Sequence, residues 1–164
     1  MAKLEQIKSK IYSLPDLLKQ VNIWKFTGKK IVFTNGCFDL LHLGHIDYLS
    51  KAADLGDVLI IGLNTDSSVN RIKGPMRPIT NEDSRATLLA ALSFVSAVVL
   101  FDEPTPFELI STIKPDVLVK GADYTVENIV GSDIVLANKG EVKTIDFLPG
   151  YSTSSIEKKI REGK

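Results

Sequence analysis

The amino-acid sequence predicts an α/β domain: a doubly wound five-stranded parallel sheet with helices on both faces. Short, continuously apolar runs alternate with amphipathic helical stretches, the pattern left by strands that are buried on both sides. The chain has 164 residues, a size that suits one domain. No internal repeat, low-complexity tract or Gly/Ser linker divides it.

Residues 3–26 read as helical, with Leu4, Ile7, Ile11, Leu14, Leu17, Leu18 and Val21 at three- and four-residue spacings. Pro15 falls early in the second helical piece, where its missing N–H costs little. Thr27-Gly28-Lys29-Lys30 turns the chain. Residues 1–28 are therefore expected as an N-terminal helical segment packed on a domain of residues 29–164. Ile31–Thr34 is the first strand, followed by a Gly-containing loop and a helix from about Gly44 to Leu55. Val58–Leu63 is the second strand, bounded by Gly56-Asp57 and Asn64, and a polar segment follows. A helix from about Asn81 to Leu92 precedes the strands Ala97–Phe101, Val117–Val119 and Val142–Ile145. Further helices fall near Pro106–Ile113, Gly131–Asn138 and Ser154–Arg161. In a sheet of this kind, ligands bind outside the carboxyl ends of the strands, where the winding reverses.

Composition narrows the function. Hydrophobic residues make 44% and charged residues 24%, as in a globular protein. Twenty Lys and Arg balance twenty Asp and Glu, so bulk attraction to nucleic acid is not expected and any anion must be held by a local cluster. The single cysteine cannot form an internal disulfide, which fits a reducing compartment. There is no apolar run of about 18 residues, and MAKLEQIKSK lacks a secretory hydrophobic core. The expectation is a cytoplasmic protein without a membrane partner.

The two histidines, His42 and His45, both fall in the loop after the first strand, Asn35-Gly36-Cys37-Phe38-Asp39-Leu40-Leu41-His42-Leu43-Gly44-His45. A glycine-containing loop that opens a helix offers N–H groups and a positive dipole end to an anion, and two imidazoles would add donors. The alternative is one helix-capping and one packed histidine. Asn64-Thr65-Asp66-Ser67-Ser68, at the end of the second strand, suits sugar hydroxyls or forms a plain Asx turn. Arg71, Lys73, Arg77 and Arg85 place four cations within fifteen residues. Arginine forks match phosphate, although Arg71 and Arg77 are left without a role, and a solvated basic face is the other reading. Lys120-Gly121 ends the fourth strand, with Asp123 close by. The lysine can reach into a site or extend to water, and Gly121 would let a ligand approach the backbone. Gly150, Ser152, Thr153 and Ser154 open the last helix with hydroxyls and free N–H groups, a second anion site. Cys37 has no histidine placed to activate it and reads as packing. No Cys/His set has zinc spacing, so no metal site is expected.

GCFDLLHLGH resembles the signature of the HxGH nucleotidyltransferases. The likeness continues through NTDSSVNRIKGPMRPITNEDSRATLLAAL, PDVLVKGADY, IVGSDIV and GYSTSSIEKKI, covering roughly residues 14–161. In this order and spacing the motifs are similar to those of adenylyltransferases that make ADP-heptose from D-glycero-D-manno-heptose 1-phosphate. The resemblance implies a Rossmann-like fold, ATP and a sugar 1-phosphate as substrates, and Mg²⁺ carried by ATP. It implies catalytic roles for His42, His45, Lys73 and Arg85. The ATP would be bound by Asn35, Gly36, Cys37, Phe38, Gly44, Gly150, Ser152, Thr153 and Ser154. The acceptor would be bound by Asp39, Asp66, Lys73, Lys120, Gly121 and Asp123. It also implies a homodimer and a separate sugar kinase that supplies the acceptor. A cytidylyltransferase acting on glycerol 3-phosphate or a related alcohol phosphate is the alternative; such enzymes carry Arg-Thr-Glu-Gly-Ile-Ser-Thr before the last helix, where this chain has Phe147-Leu148-Pro149-Gly150-Tyr151-Ser152-Thr153. A non-catalytic nucleotide-binding domain is the second alternative.

Overall fold

The computed structural model describes residues 1–163. Its elements run α1 (Lys3–Lys8), β1 (Ile11–Tyr12), α2 (Leu14–Phe26), β2 (Ile31–Gly36), α3 (Leu43–Ala53), β3 (Val58–Asn64), α4 (Asp66–Lys73) and α5 (Glu82–Ala90). They continue with β4 (Ala97–Phe101), α6 (Phe107–Ile113), β5 (Val117–Gly121), a 3₁₀ turn (Val126–Asn128), α7 (Ser132–Ala137), β6 (Glu141–Ile145) and α8 (Thr153–Glu162). The sheet is parallel throughout, in the order β1-β4-β3-β2-β5-β6.

Two expectations need correcting. The sheet has six strands rather than five, because the stretch expected as helix over residues 3–26 is interrupted. Ile11 and Tyr12 pair with Val98 and Val99 at the sheet edge, and the Val98 N–H donates to the Lys10 carbonyl at 2.8 Å. Ser13 then caps α2 by accepting the Asp16 N–H, with Pro15 in the first turn. Helical spacing alone cannot register such a break, since a two-residue strand leaves the apolar positions nearly in phase. The polar segment after β3 is also helical. The Thr65 hydroxyl accepts the Ser68 N–H, and α4 buries Val69 on the domain. Residues of modest helix propensity form it because packing and the cap outweigh propensity.

Alternation along the strands divides the core into two layers. Ile31, Phe33, Ile60, Val99 and Leu118 face α2, α6 and α7, which contribute Leu17, Val21, Ile110, Ile113 and Val135. Val32, Leu59, Ile61, Val98 and Val119 face α3 and α5, which contribute Leu49, Ala52, Ala86 and Leu89. Each of the Val, Leu, Ile and Phe side chains among them stabilises the fold by about 1.5–3 kcal/mol on full burial. The winding reverses between β2 and β5, which are neighbours in space but not in sequence. The crevice at their carboxyl ends is where this architecture receives a ligand.

Candidate active site

β2 ends at Asn35 and Gly36 inside the crevice, and the chain then passes through Cys37, Phe38 and Asp39 to α3. Phe38 and Leu40 adopt φ of 46° and 49°, left-handed conformations that cost roughly 1–2 kcal/mol for a non-glycine residue. Such a loop persists only when its surroundings hold it. Asp39 is buried, and its carboxylate accepts the N–H of Ile79 (2.8 Å), the N–H (3.0 Å) and hydroxyl (2.9 Å) of Thr80, and Arg77 (3.1 Å). Burial alone would raise its pKa, but these donors together hold it below the ordinary carboxylate value.

Arg85 is the second anchor. Only 2% exposed, it donates to the carbonyls of Thr80 (3.0 Å), Cys37 (2.6 Å) and Asn64 (2.9 Å) and to the Asp66 carboxylate (2.7 Å). Its guanidinium thus joins the ends of β2 and β3 to the loop before α5.

His42 is the N-cap residue of α3, and His45 lies in its first turn. Their rings stack with centroids 3.8 Å apart and 19° between planes, and Phe38 meets His45 edge-on at 5.4 Å. Nδ1 of each ring is buried without a hydrogen-bond partner. Burial lowers the pKa of His42, and burial, helped by repulsion from Lys73 and from His42 whenever that ring is protonated, brings His45 down to about 4, against an opposing pull from Asp39. His45 is therefore uncharged at neutral pH, and burial favours the neutral ring of His42 as well. Gly44 makes this packing feasible: a Cβ there would sit 3.1 Å from the His42 ring and from the Tyr151 Cβ.

On the β5 side, Lys120 donates to the Asn35 Oδ1 at 2.5 Å across the crevice and lies 5.7 Å from the Tyr124 ring centroid. Burial brings its pKa down to about 8, with Asp123 and Cys37 pulling the other way. Gly121 is crowded by the Phe147 ring, and Asp123 is exposed beside it. Lys73, the last residue of α4, is exposed, and its charge is felt at both His45 and Cys37.

The start of α8 is tied to the loop that follows β2. Gly150 has φ of 85°, and Ser152 caps α8 by accepting the Ser155 N–H. The Thr153 hydroxyl donates to the Asp39 carbonyl at 2.8 Å, and Ser154 is exposed. The run of hydroxyls is thus divided between capping, anchoring and solvent. The Cys37 thiol is partly buried, 3.9 Å from the Asn64 Oδ1; burial pushes its pKa up, with Lys73 and Arg85 opposing.

Sequence reasoning missed Arg77, Thr80 and Glu157 as parts of this framework. Arg77 stood among clustered cations without a partner; only the fold supplies the carboxylates it meets. A depression of about 620 Å³, bordered by Lys25, Lys29, Lys114 and Asp116, lies at the opposite ends of the strands. Helices α2, α6 and α7 end there, so its lysines complement negative helix termini. Among the described residues, no group of three His, Cys, Asp or Glu could hold a metal ion, and no helix is long and apolar enough to cross a membrane.

Residues 33–159 match the cytidylyltransferase-like family. The chain is 58% identical over 160 residues to the bifunctional protein HldE of Campylobacter jejuni subsp. jejuni, covering 98% of this chain and 32% of that protein. It is 53% identical over 151 residues to the HldE of Methylobacillus flagellatus, covering 92% of this chain and 31% of the relative. The chain therefore spans about a third of the length of these curated relatives. Among solved structures, the lipopolysaccharide core biosynthesis protein from Thermoplasma volcanium aligns with a TM-score of 0.59 at 31% identity, over 74% of this chain and 98% of the other.

Proposed function

The chain belongs to the cytidylyltransferase-like family, and from that premise we propose that it transfers AMP from ATP to a sugar 1-phosphate, D-glycero-D-manno-heptose 1-phosphate, yielding ADP-heptose and pyrophosphate. The observation that carries this reading is the stacked pair of imidazoles at the start of α3, each with a buried ring nitrogen unpartnered, on the helix that follows β2 where the winding reverses between β2 and β5. The likeness to a lipopolysaccharide core biosynthesis protein supports the choice of a sugar phosphate.

An acceptor phosphate oxygen attacks the α-phosphorus of ATP, a new P–O bond forms, and the bond to the β-phosphate breaks with its electron pair leaving on pyrophosphate. The acceptor is already an anion, so no base is needed; the chain's task is alignment and charge stabilisation. His42 and His45 donate to the triphosphate, with N–H groups of Asn35–Phe38, Gly44 and the start of α8 (Gly150, Ser152, Thr153 and Ser154) around it. Lys73 and Lys120 supply positive charge, while Asp66, Gly121 and Asp123 border the acceptor. Arg85 and Asp39 act as positioning residues, since both are buried and their hydrogen-bonding groups are taken up inside the fold. Mg²⁺ enters with the triphosphate as part of the substrate and keeps much of its water. A cytoplasmic homodimer, supplied by a sugar kinase, completes the reading.

The test is pyrophosphate release from ATP and CTP against heptose 1-phosphate, other sugar 1-phosphates and glycerol 3-phosphate. ATP with the heptose phosphate should give the highest kcat/KM, and omitting the acceptor should abolish release. Preference for CTP with glycerol 3-phosphate would overturn the reading in favour of a cytidylyltransferase. Nucleotide binding with no release from any pair would mark a non-catalytic domain.

A further inference from the structure

Three segments that are distant in sequence meet in a closed circuit of bonds beside the crevice. Arg77, in the loop between α4 and α5, donates through one amine to the Asp39 carboxylate at 3.1 Å and through the other to the Glu157 carboxylate on α8 at 2.6 Å. The Thr153 hydroxyl, one turn earlier on α8, donates to the Asp39 carbonyl at 2.8 Å. The Asp39 carboxylate also takes the N–H groups of Ile79 and Thr80. The Arg77 side chain is 16% exposed, Asp39 1% and Glu157 26%, so the three charges are shielded from bulk water.

Resting on the functional reading above, we infer that Arg77 and Glu157 are positioning residues that couple nucleotide binding at α8 to ordering of the 74–80 loop behind Lys73. Across the crevice the loop is tied down only near its end: Gly74 has φ of 96°, Pro75 and Met76 are exposed, and further bonds of the loop are local ones, from Asn70 to the Gly74 and Arg77 carbonyls and from Arg85 to the Thr80 carbonyl. A guanidinium fork suits the task because its two amines can hold two carboxylates in fixed relative positions, which a lysine ammonium does less well. A nucleotide that settles α8 against the Asp39 loop holds Glu157 and Asp39 at the spacing Arg77 spans, and the amides of Ile79 and Thr80 stay bonded. The donor site thereby prepares the acceptor side, and by linkage the acceptor tightens the donor by the same factor.

The experiment is amide hydrogen exchange of the 73–80 segment with and without MgATP, alongside calorimetric titration of MgATP, in the unaltered chain and in Glu157→Gln. Glu157→Gln leaves the Arg77–Asp39 pair in place, so the fold is expected to survive; Arg77→Lys serves as a second variant. In the unaltered chain MgATP should slow exchange of this segment by about fivefold or more, the lower end of ordinary coupling between sites. In both variants that protection should fall to less than about twofold while MgATP still binds. A merely structural pair would raise exchange equally with and without nucleotide, and that result overturns the inference, as does full nucleotide protection in Glu157→Gln. MgATP binding to the unaltered chain without protection of the segment defeats the inference alone. Absence of MgATP binding to the unaltered chain defeats the functional reading, and the inference falls with it.

Discussion

Replacing His45 by Ala separates catalysis from folding because its two effects on stability oppose each other, whereas nothing offsets the loss of a phosphate donor. The ring is partly buried between His42 and Phe38 and brings an unpartnered Nδ1 with it. Truncating a fully buried aromatic costs about 3–5 kcal/mol. Here the loss of ring contacts is offset by removal of an unsatisfied buried nitrogen, which itself costs about 1–3 kcal/mol. Because the ring is only partly buried, the contact loss falls below that full-burial range, and the net change in stability at pH 7 should stay within about 2 kcal/mol. Losing a donor to the reacting phosphates should instead lower kcat by about a hundred- to a thousandfold, with KM for ATP changed far less.

The pH dependence adds a second discriminating readout. With a folded pKa of about 4 against an ordinary 6.5, His45 takes up its proton more readily in the unfolded chain. Stability is thus fully present above pH 6.5 and declines as pH falls toward 4. The bound on that decline is about 3 kcal/mol, reduced by solvent screening because the ring is only partly covered. His45→Ala should abolish this part of the acid loss. Thermal unfolding at pH 7.5 and pH 5, with steady-state kinetics on the same preparation, tests both claims. A near-normal kcat with a Tm many degrees lower at pH 7.5 would return His45 to a packing role and remove the main support for the mechanism.

Cys37→Ser should retain most activity, because burial holds the thiol in its neutral form and the proposed transfer needs no covalent intermediate; a thousandfold loss in a folded variant would refute this. Arg85→Met should destabilise the fold by about 3–5 kcal/mol, read as a lower urea midpoint, since the carbonyls of Thr80, Cys37 and Asn64 lose their charged donor. For Lys120, whose pKa lies at about 8, the ammonium predominates below that pH. The kcat/KM for the acceptor should fall as pH rises through 8, and Lys120→Arg should move that fall to higher pH; an unchanged profile would separate Lys120 from acceptor binding.

Local pattern accounts for much of what was legible. Ile31–Thr34, Val58–Leu63 and Ala97–Phe101 could be read as strands because full burial on both faces leaves a continuous apolar run that few other environments produce. The stretch from Asn35 to His45 could be placed as the step from a strand end to a helix start because its glycines and histidines follow one apolar run and open an amphipathic one. What tertiary structure alone decided was the direction and partners of the charged side chains, and the break at Ile11–Tyr12. Arg85 and Asp39 carry the residue types of ligand-binding groups, yet Arg85 turns to Cys37 and Asn64, and Asp39 to Arg77 and Thr80. Arg77 finds Glu157 eighty positions away. Burial periodicity is a property of neighbours along the chain, whereas a buried charge is satisfied by whatever the fold brings within hydrogen-bond reach, and no spacing in the sequence records that distance.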